Sequence, residues 1–434
     1  MPSRKKKTVK KVRSSAPDPH RELARLVVEA KAASQVLAQV GAEAKNRALL
    51  GIAEALLHRQ EDILFKNGID VEAGKAAKLA PALLDRLTLT PRRIQDMAQS
   101  LREMAALPDP VGEIVEESRR PNGMILQKVR VPLGLVAMIY EARPNVTVDS
   151  AGLCLKSGNA VVLRGGKEAL NTNGALTAVI HDALREAGLP PAIVQLVPFT
   201  DRELIRDLVT MDQAIDLVIP RGGEEMVRSI REMATVPVLS HGRGLCAVYV
   251  DKDADLDMAE KIALNAKVQR MGVCNAMETL LVHKDAAASF LPRIVRLYQE
   301  AKVEVRGDEA VRRAAAGVRS AVEKDWDTEF LGPIVAVKVI GSLDEAIAHV
   351  NRHGSHHTDA IVTRDAAAAD KFLKEVDSAA VLHNASTRLH DGGLFGLGAE
   401  MGISTQKLHA RGAMGLKELT TTKYVVRGSG QVRE

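Results

Sequence analysis

The sequence predicts an α/β fold with two parallel-sheet domains. The first observation is an alternation of short apolar strands with helices between Leu133 and Asp251, and the second is a similar alternation after residue 251. Strands that alternate with helices are typical of doubly wound parallel sheets. The third observation is size, because 434 residues with 46% hydrophobic content can bury more than one core.

The positive charge of the chain is concentrated at its N-terminus. The net charge is +5, but residues 1–13 contain seven lysines and arginines and no acid, so the remainder has a net charge of −2. A short lysine-rich end is typical of a solvated extension, and we expect residues 1–19 to be a disordered basic tail. Binding of nucleic acid is the disfavoured alternative, because aromatic residues, which stack on bases, make up only 3% of the chain.

The cysteines indicate a reducing compartment. Cys154, Cys246 and Cys274 form no CxxC pair and leave one thiol over from any pairing, which argues against a disulfide framework or a zinc site. No apolar run reaches the roughly 18 residues of a membrane span, and no signal peptide is apparent, so we expect a cytoplasmic protein without membrane contact. The segment 353–357 (HGSHH) has no carboxylate or cysteine nearby, and we expect no metal there.

The N-terminal third is predicted to be helical, followed by a ribbon. Apolar residues recur at three- and four-residue spacing in His20–Gln60 and in Ala80–Leu107. Between Glu113 and Val131, two strands are predicted around a Pro-Asn-Gly turn, because Asn-Gly accepts the positive φ of a tight hairpin. An isolated ribbon needs a partner surface, which either another domain or a second subunit could supply.

The next region predicts a sheet with two phosphate-binding turns. The predicted strands are LGLVAMIY, NAVVLRGG, IVQLVPF, AIDLVIPRGG and VPVLSHG, with helices at Glu168–Ala187 and Arg202–Met211. Two of these strands end in the turns Arg164-Gly165-Gly166-Lys167 and Arg221-Gly222-Gly223. Such glycines let a phosphate approach helix amides, although they can also simply close a tight connection. Arg164 and Lys167 could pair with a ribose 2′-phosphate, which favours NADP over NAD.

The second alternating region contains the candidate nucleophile. A strand is predicted at Cys246–Val250, before this region. The elements predicted after residue 251 are a helix capped by Asp253 or Asp255 and ending at Ala266, strands at Met277–Val282, Gly332–Val337 and Ala360–Val362, helices at Leu343–Asn351 and Ala366–Val376, and a C-terminal strand at Thr420–Arg427. Cys274 lies on a glycine-containing loop between a helix and a strand, where a thiol is placed for attack. Cys154 and Cys246 lie in apolar runs and are predicted core thiols. Arg270 could lower the pKa of Cys274 or could simply be a solvated helix end.

Three long segments, 131–169, 274–282 and 383–412, resemble the gamma-glutamyl phosphate reductase family of the aldehyde dehydrogenase superfamily. The resemblance implies an aldehyde dehydrogenase-like fold and NADPH-dependent reduction of L-glutamate 5-phosphate to L-glutamate 5-semialdehyde, the second step of proline synthesis from glutamate. It implies a homo-oligomer and functional coupling to glutamate 5-kinase. The implied division is a cofactor domain at 20–112 and 132–250 with part of 385–412, a catalytic domain at 251–384, and an oligomerisation element at 113–131 and 413–434.

The resemblance also implies site roles. Cys274 would form a thioester, Asn145 and the Cys274 N–H would hold the oxyanion, and Glu329 would hold the nicotinamide ribose. Substrate contacts are expected from Arg143, His241 and Arg388, with Arg243 as a further candidate. Five residues depart from the family's usual pattern: Met271, Gly272, Leu389, His390 and Ala413.

The stretch Val238–Arg243 lacks the glutamate that activates water in hydrolytic relatives, so the thioester should resist hydrolysis. This speaks against a hydrolytic aldehyde dehydrogenase. The remaining alternative is an inactive binding protein whose basic tail contacts nucleic acid.

Overall fold

Residues 18–240 and 242–433 are described by the structure, a computed structural model. Five helices come first: α1 (Pro19–Leu37), α2 (Ala42–His58), α3 (Gln60–Ala76), α4 (Pro81–Leu87) and α5 (Pro91–Ala106). Asp18 caps α1 by accepting from the His20 amide, and Thr90 caps α5 in the same way. Both predicted helical regions are confirmed, and the basic tail lies almost wholly outside the described residues.

The first parallel sheet follows a hairpin. The elements are β1 (Ile114–Arg119), β2 (Ile125–Pro132), β3 (Leu135–Tyr140), α6 (Pro144–Lys156), β4 (Ala160–Arg164), α7 (Leu170–Glu186), β5 (Val194–Leu196), α8 (Glu203–Thr210), β6 (Leu217–Arg221) and α9 (Glu224–Met233). The sheet order is β5-β4-β3-β6. Alternate residues of β3 enter two different cores: Val136 and Met138 pack among residues of α2, α5 and α7, whereas Leu135 and Ala137 pack among residues of α1 and α8. The sheet is therefore covered by helices on both faces, as predicted.

One predicted strand of this region is wrong. VPVLSHG makes only a single bridge, between Val238 and Val218, and is not a strand. The Val218 amide donates to the carbonyl of Pro237, and Leu239 donates back to Val218. Because Pro237 has no N–H of its own, the ladder cannot continue through it.

The second parallel sheet has seven strands in the order β10-β9-β11-β8-β7-β12-β13. Its elements are β7 (Cys246–Val250), α10 (Leu256–Val268), β8 (Met277–His283), α11 (Lys284–Glu300), β9 (Glu304–Gly307), α12 (Glu309–Ala314), β10 (Arg319–Ser320), β11 (Ile334–Ile340), α13 (Leu343–His353), β12 (Thr358–Val362), α14 (Ala366–Glu375) and β13 (Ala380–His383). Every strand predicted here is confirmed. Asp255, one of the two candidates, caps α10.

The predicted domain boundary after residue 250 needs a correction. Strand β7 was assigned with the cofactor domain, but it pairs with β8 and β12 in the second sheet. Val248 and Val250 pack among residues of α10 and α11, while Ala247 and Tyr249 pack among residues of α13 and α14. The division between the sheets therefore lies between Leu239, which packs in the first core, and Cys246. Both regions alternate strands with helices, so composition does not mark this boundary.

The C-terminal segment returns to the first sheet and the ribbon. Short strands β14 (Ile403–Ser404) and β15 (Gly412–Ala413) pair with each other, and nearby Met401, Met414 and Leu419 pack in the core of the first sheet. The last strand, β16 (Thr420–Arg427), adds to β2, so that β1, β2 and β16 form a three-stranded antiparallel sheet. The predicted hairpin and C-terminal strand are thus confirmed, with Gly123 at a φ of 89° in the turn. Within the described ranges, no helix is long and apolar enough to cross a membrane.

Candidate active site

The Cys274 loop connects α10 to β8 and is held from one side by Gly244. Cys274 is partly exposed, whereas Asn275 and Ala276 after it are buried. A Cβ added at Gly244 would lie 2.5 Å from both Cα and C of Cys274, so only glycine allows this approach. The thiol of Cys246 donates to the Cys274 carbonyl at 3.2 Å. The nucleophile's backbone is therefore fixed by close packing, while its side chain remains partly exposed.

The ionisation of Cys274 depends on charges from other loops. Burial raises the pKa of the thiol above its usual value, and the nearby carboxylates of Glu400 and Glu329 raise it further. The guanidinium groups of Arg221 and Arg143 act in the opposite direction, because they stabilise the thiolate. Arg270, the candidate from sequence proximity, is not among the main influences on this pKa, although it lines the neighbouring cavity.

A cavity of about 650 Å³ lies beside the loop, and Gly272 and Val273, directly before Cys274, form part of its wall. Six arginines and five acidic residues also line it: Arg86, Arg93, Arg143, Arg221, Arg270, Arg388, Asp85, Asp96, Asp149, Asp391 and Glu400. A lining of this kind can receive a small ligand that carries both anionic and cationic groups.

The predicted substrate arginines both reach this cavity. Arg143 precedes α6, and burial, together with the charges of Arg221 and Arg86, lowers its pKa to about 9. Arg388 donates to the side-chain oxygen of Asn275 and, through Nε, to Gln269 at 2.9 Å. Both guanidinium groups are therefore held close to the nucleophile's loop.

Asn145 lies in the same cavity lining, in the first turn of α6. Its Nδ2 donates to Asp149 Oδ2 at 3.0 Å, one helical turn further along. Burial raises the pKa of Asp149 to about 6, while the Asn145 amide and Arg221 partly offset this. Asn145 is thus an exposed residue of the cavity wall, and its amide is oriented by Asp149.

A second cavity, of about 1020 Å³, is a groove lined by Tyr140, Arg164 and Gly223, at or just beyond the carboxyl ends of β3, β4 and β6. Strand order reverses between these strands, since β4 and β6 flank β3 on opposite sides. Such switch points are where nucleotides bind in open α/β sheets. Gly166 and Lys167 line the groove, while Gly165 and Gly222 directly precede lining residues.

Arg164 contacts backbone carbonyls within the protein. Its side chain is only 8% exposed, and its guanidinium donates to the carbonyls of Gly165 and Thr200, at 3.2 and 2.9 Å. It therefore ties the loop at Thr200 to the end of β4 while still lining the groove, and its pairing with a 2′-phosphate stays a prediction. Lys167 is exposed at the groove, and Arg202 and Arg228 are cations there that the sequence pattern did not single out.

The Gly222-Gly223 turn is shaped by Glu141, the residue after β3. The Gly223 amide, at the start of α9, donates to Glu141 Oε2 at 3.2 Å. A carboxylate at a helix N-terminus interacts with the same amides that a phosphate would use. The Gly223 amide thus contacts an anionic group, the Glu141 carboxylate, and phosphate binding at this turn stays a prediction.

Glu329 contacts Gly244, the residue that packs against Cys274. Its Oε1 accepts from the amide of Gly244 at 2.8 Å, directly beneath the nucleophile, and burial raises its pKa above the usual value. Arg243, the further candidate for the substrate, instead contacts Glu224 and the carbonyl of Asp327. His241 lies outside the described residues.

Sequence reasoning missed Arg86, Asp149 and Glu400 in the active-site cavity. Arg86 donates to the Gly272 carbonyl at 2.9 Å, and Glu400 accepts from the Gly392 amide at 2.9 Å while facing Arg221. Only Asp149 had a local signal, because it follows Asn145 by four residues on a helix. In the part of the chain that the structure describes, no three His, Cys, Asp or Glu side chains are grouped as metal ligands would be.

Comparisons with known proteins agree with this architecture. The model of the aldehyde dehydrogenase family matches residues 2–324 and 316–425. Gamma-glutamyl phosphate reductase of Carboxydothermus hydrogenoformans is 54% identical over 412 residues, which cover 95% of this chain and 99% of the relative. That of Geotalea daltonii is 51% identical over 413 residues, with the same coverage. The crystal structure of gamma-glutamyl phosphate reductase from Thermotoga maritima superposes with a TM-score of 0.92 at 46% identity, covering 95% of this chain and 100% of that one.

Proposed function

The chain belongs to the gamma-glutamyl phosphate reductases of the aldehyde dehydrogenase family, and on this basis we propose that it reduces L-glutamate 5-phosphate to L-glutamate 5-semialdehyde with NADPH. This is the second step of proline synthesis from glutamate. The observation that supports it best is the position of Cys274 beside a cavity lined by six arginines. Phosphate and carboxylate groups are the anions that guanidinium groups bind most specifically.

The covalent step uses Cys274. Its thiolate attacks C5 of the acyl phosphate, the tetrahedral oxyanion accepts from the Asn145 amide and the Cys274 N–H, and phosphate leaves to give a thioester. Arg143 and Arg221 serve this step by favouring the thiolate. Arg388 is the proposed partner of the substrate's α-carboxylate, and His241 remains a candidate contact for its phosphate.

Members of the family use nicotinamide cofactors, and the groove at the ends of β3, β4 and β6 fits one in size and position. Bound NADPH would supply the hydride that reduces the thioester. Lys167, with Arg202 and Arg228, is the proposed contact for its phosphates, Gly165, Gly166, Gly222 and Gly223 shape the turns, and Glu329 is the proposed ribose partner. Collapse of the resulting hemithioacetal on Cys274 then releases the aldehyde and the thiol.

Wider roles follow the same proposal. We assign the first sheet to cofactor binding, the second sheet to catalysis, and the ribbon of β1, β2 and β16 to homo-oligomer formation. In this ribbon, the edge strand β1 exposes Ile114 and Val115, and the opposite edge strand β16 exposes Val426. A cytoplasmic location and functional coupling to glutamate 5-kinase are consistent with a labile acyl phosphate as substrate.

The reverse reaction provides the sharpest test. With glutamate semialdehyde and NADP, we expect turnover only when inorganic phosphate is present, because the thioester needs phosphate as its acceptor. Val238–Arg243 provides no carboxylate to activate water in its place. Cys274→Ser should abolish turnover, whereas Cys154→Ser, which removes a buried thiol outside the site, is the matched control. Turnover independent of phosphate would refute the proposal and indicate a hydrolytic enzyme.

A further inference from the structure

A chain of buried polar side chains lies beneath the Cys274 loop. His390, 1% exposed, contacts Thr358 through Nδ1 and Oγ1 at 2.7 Å, and Thr358 contacts His357 Nδ1 at the same distance. His357 in turn lies 3.8 Å from the thiol of Cys246, which donates to the Cys274 carbonyl. The chain therefore connects His390 to the backbone of the nucleophile.

The contacts of His390 define one tautomer. The amide of Ala413 donates to His390 Nε2 at 3.2 Å, so this nitrogen is an acceptor. Burial lowers the pKa of His390 to about 4, which leaves the ring neutral with its single proton on Nδ1. That proton is donated to Thr358, whose hydroxyl can then donate to His357. Donation therefore runs from His390 through Thr358 and ends at His357 Nδ1. That nitrogen packs 3.8 Å from the Cys246 sulfur, whose own proton is donated to the Cys274 carbonyl.

A second connection runs through the backbone of His390. Its carbonyl accepts from Asn275 Nδ2 at 3.0 Å, and Asn275, directly after the nucleophile, is only 4% exposed. The side-chain oxygen of Asn275 accepts from Arg388. The residue that follows Cys274 is thus held between His390 on one side and Arg388 on the other.

We propose that His390 is a positioning residue, which fixes the Cys274 loop and Arg388 in one geometry through Asn275 and through the chain of Thr358 and His357. The Ala413 amide holds the imidazole in the orientation that this requires. The contact between Arg388 and the substrate rests on the proposed function, whereas the position of the Cys274 thiol does not. A shift of about 1 Å in a reacting group can cost roughly a hundredfold in rate, so a loosened loop has a measurable effect.

Ala413→Pro is the most selective perturbation, because it removes one N–H and leaves every side chain of the network in place. The neighbouring Met414 amide donates to Gly402 across β14 and β15, so the Ala413 amide points away from that ladder. Ala413→Ser, which keeps the N–H, is the matched control. His390→Ala removes the whole contact, whereas His390→Gln retains an oxygen that can accept from Ala413.

Two readouts are measured: the rate of Cys274 alkylation by iodoacetamide and, in the reductase assay, kcat separately from the KM for NADPH. We expect kcat and alkylation to fall by about tenfold in Ala413→Pro and by roughly a hundredfold in His390→Ala. His390→Gln should recover part of the loss, Ala413→Ser should match the unmodified protein, and the KM for NADPH should stay constant.

The proposal would be overturned if both His390 variants and Ala413→Pro kept the alkylation rate and kcat of the unmodified protein. It would also be overturned if only the KM for NADPH changed. A melting temperature measured on each variant separates a displaced loop from an unfolded one, and should Ala413→Pro unfold, the two His390 variants decide. Alkylation does not depend on the substrate. An unmodified protein that fails to reduce L-glutamate 5-phosphate would therefore refute the proposed function without changing this test.

Discussion

Replacing Gly244 by alanine should displace the nucleophile without removing any polar group. The added Cβ would lie 2.5 Å from Cα and C of Cys274, about 0.5 Å inside the 3.0 Å that real Cβ contacts observe, and closer still to the carbonyl oxygen. The obstacle is backbone, which cannot rotate away as a long side chain can. Cys274 must therefore retreat by about 0.5 Å or more, and we expect kcat to fall between tenfold and a hundredfold, equivalent to about 1.4–2.7 kcal/mol.

The assay for Gly244→Ala compares kcat with cofactor affinity. Alanine keeps the N–H that donates to Glu329, so the KM for NADPH should remain within a factor of about two. Gly242→Ala is the control, because a Cβ there meets nothing within 4 Å. A Gly244→Ala variant with unchanged kcat would show that the close approach to Cys274 has no role in aiming the thiol.

Three further predictions concern charge. Because burial raises the pKa of Cys274, the rate of iodoacetamide alkylation should keep rising with pH beyond the usual thiol pKa near 8.5. Arg221→Met removes a charge that favours the thiolate, so this rise should move to still higher pH. The same pH profile in Arg221→Met and the unmodified protein would contradict this role of Arg221. Glu141→Gln removes a negative charge at the Gly223 amide, so the KM for NADPH should fall by about fivefold, measured by initial rates; an increase would instead make Glu141 a cofactor ligand. Lys167→Ala should reduce the preference for NADPH over NADH by about tenfold, measured as the ratio of kcat/KM, and an unchanged ratio would place the 2′-phosphate elsewhere.

The sequence indicated the strands well, because their apolar runs and glycine-rich ends are local signals. It could not tell where the side chains at those ends would point. Arg221 and Gly223 belong to one predicted phosphate turn, yet Arg221 lines the active-site cavity and Gly223 lines the cofactor groove. Arg164, a predicted phosphate ligand, is buried against the carbonyl of Thr200, a contact 36 residues away in sequence. Such distinctions depend on packing between distant loops.

Two of the residues that depart from the family pattern, His390 and Ala413, contact each other in the structure. His390 and Ala413 are 23 residues apart and carry no local signal of contact, but the Ala413 amide donates to the imidazole. A proline at 413 would lack that N–H, and a side chain shorter than histidine at 390 would not reach it. The two positions are therefore expected to vary together.

The arginines of the active-site cavity have two electrostatic tasks that support each other. An acyl phosphate brings several negative charges toward Cys274, and these charges alone would disfavour the thiolate that must attack it. Arg221 and Arg143 favour the thiolate, and under the proposed function they would also stabilise the incoming phosphate. Arg143 is itself destabilised as a cation by burial and by its arginine neighbours, since its pKa is lowered to about 9, and a bound anion reduces this repulsion. Substrate binding and thiol activation should therefore be coupled, and loss of either arginine should weaken both.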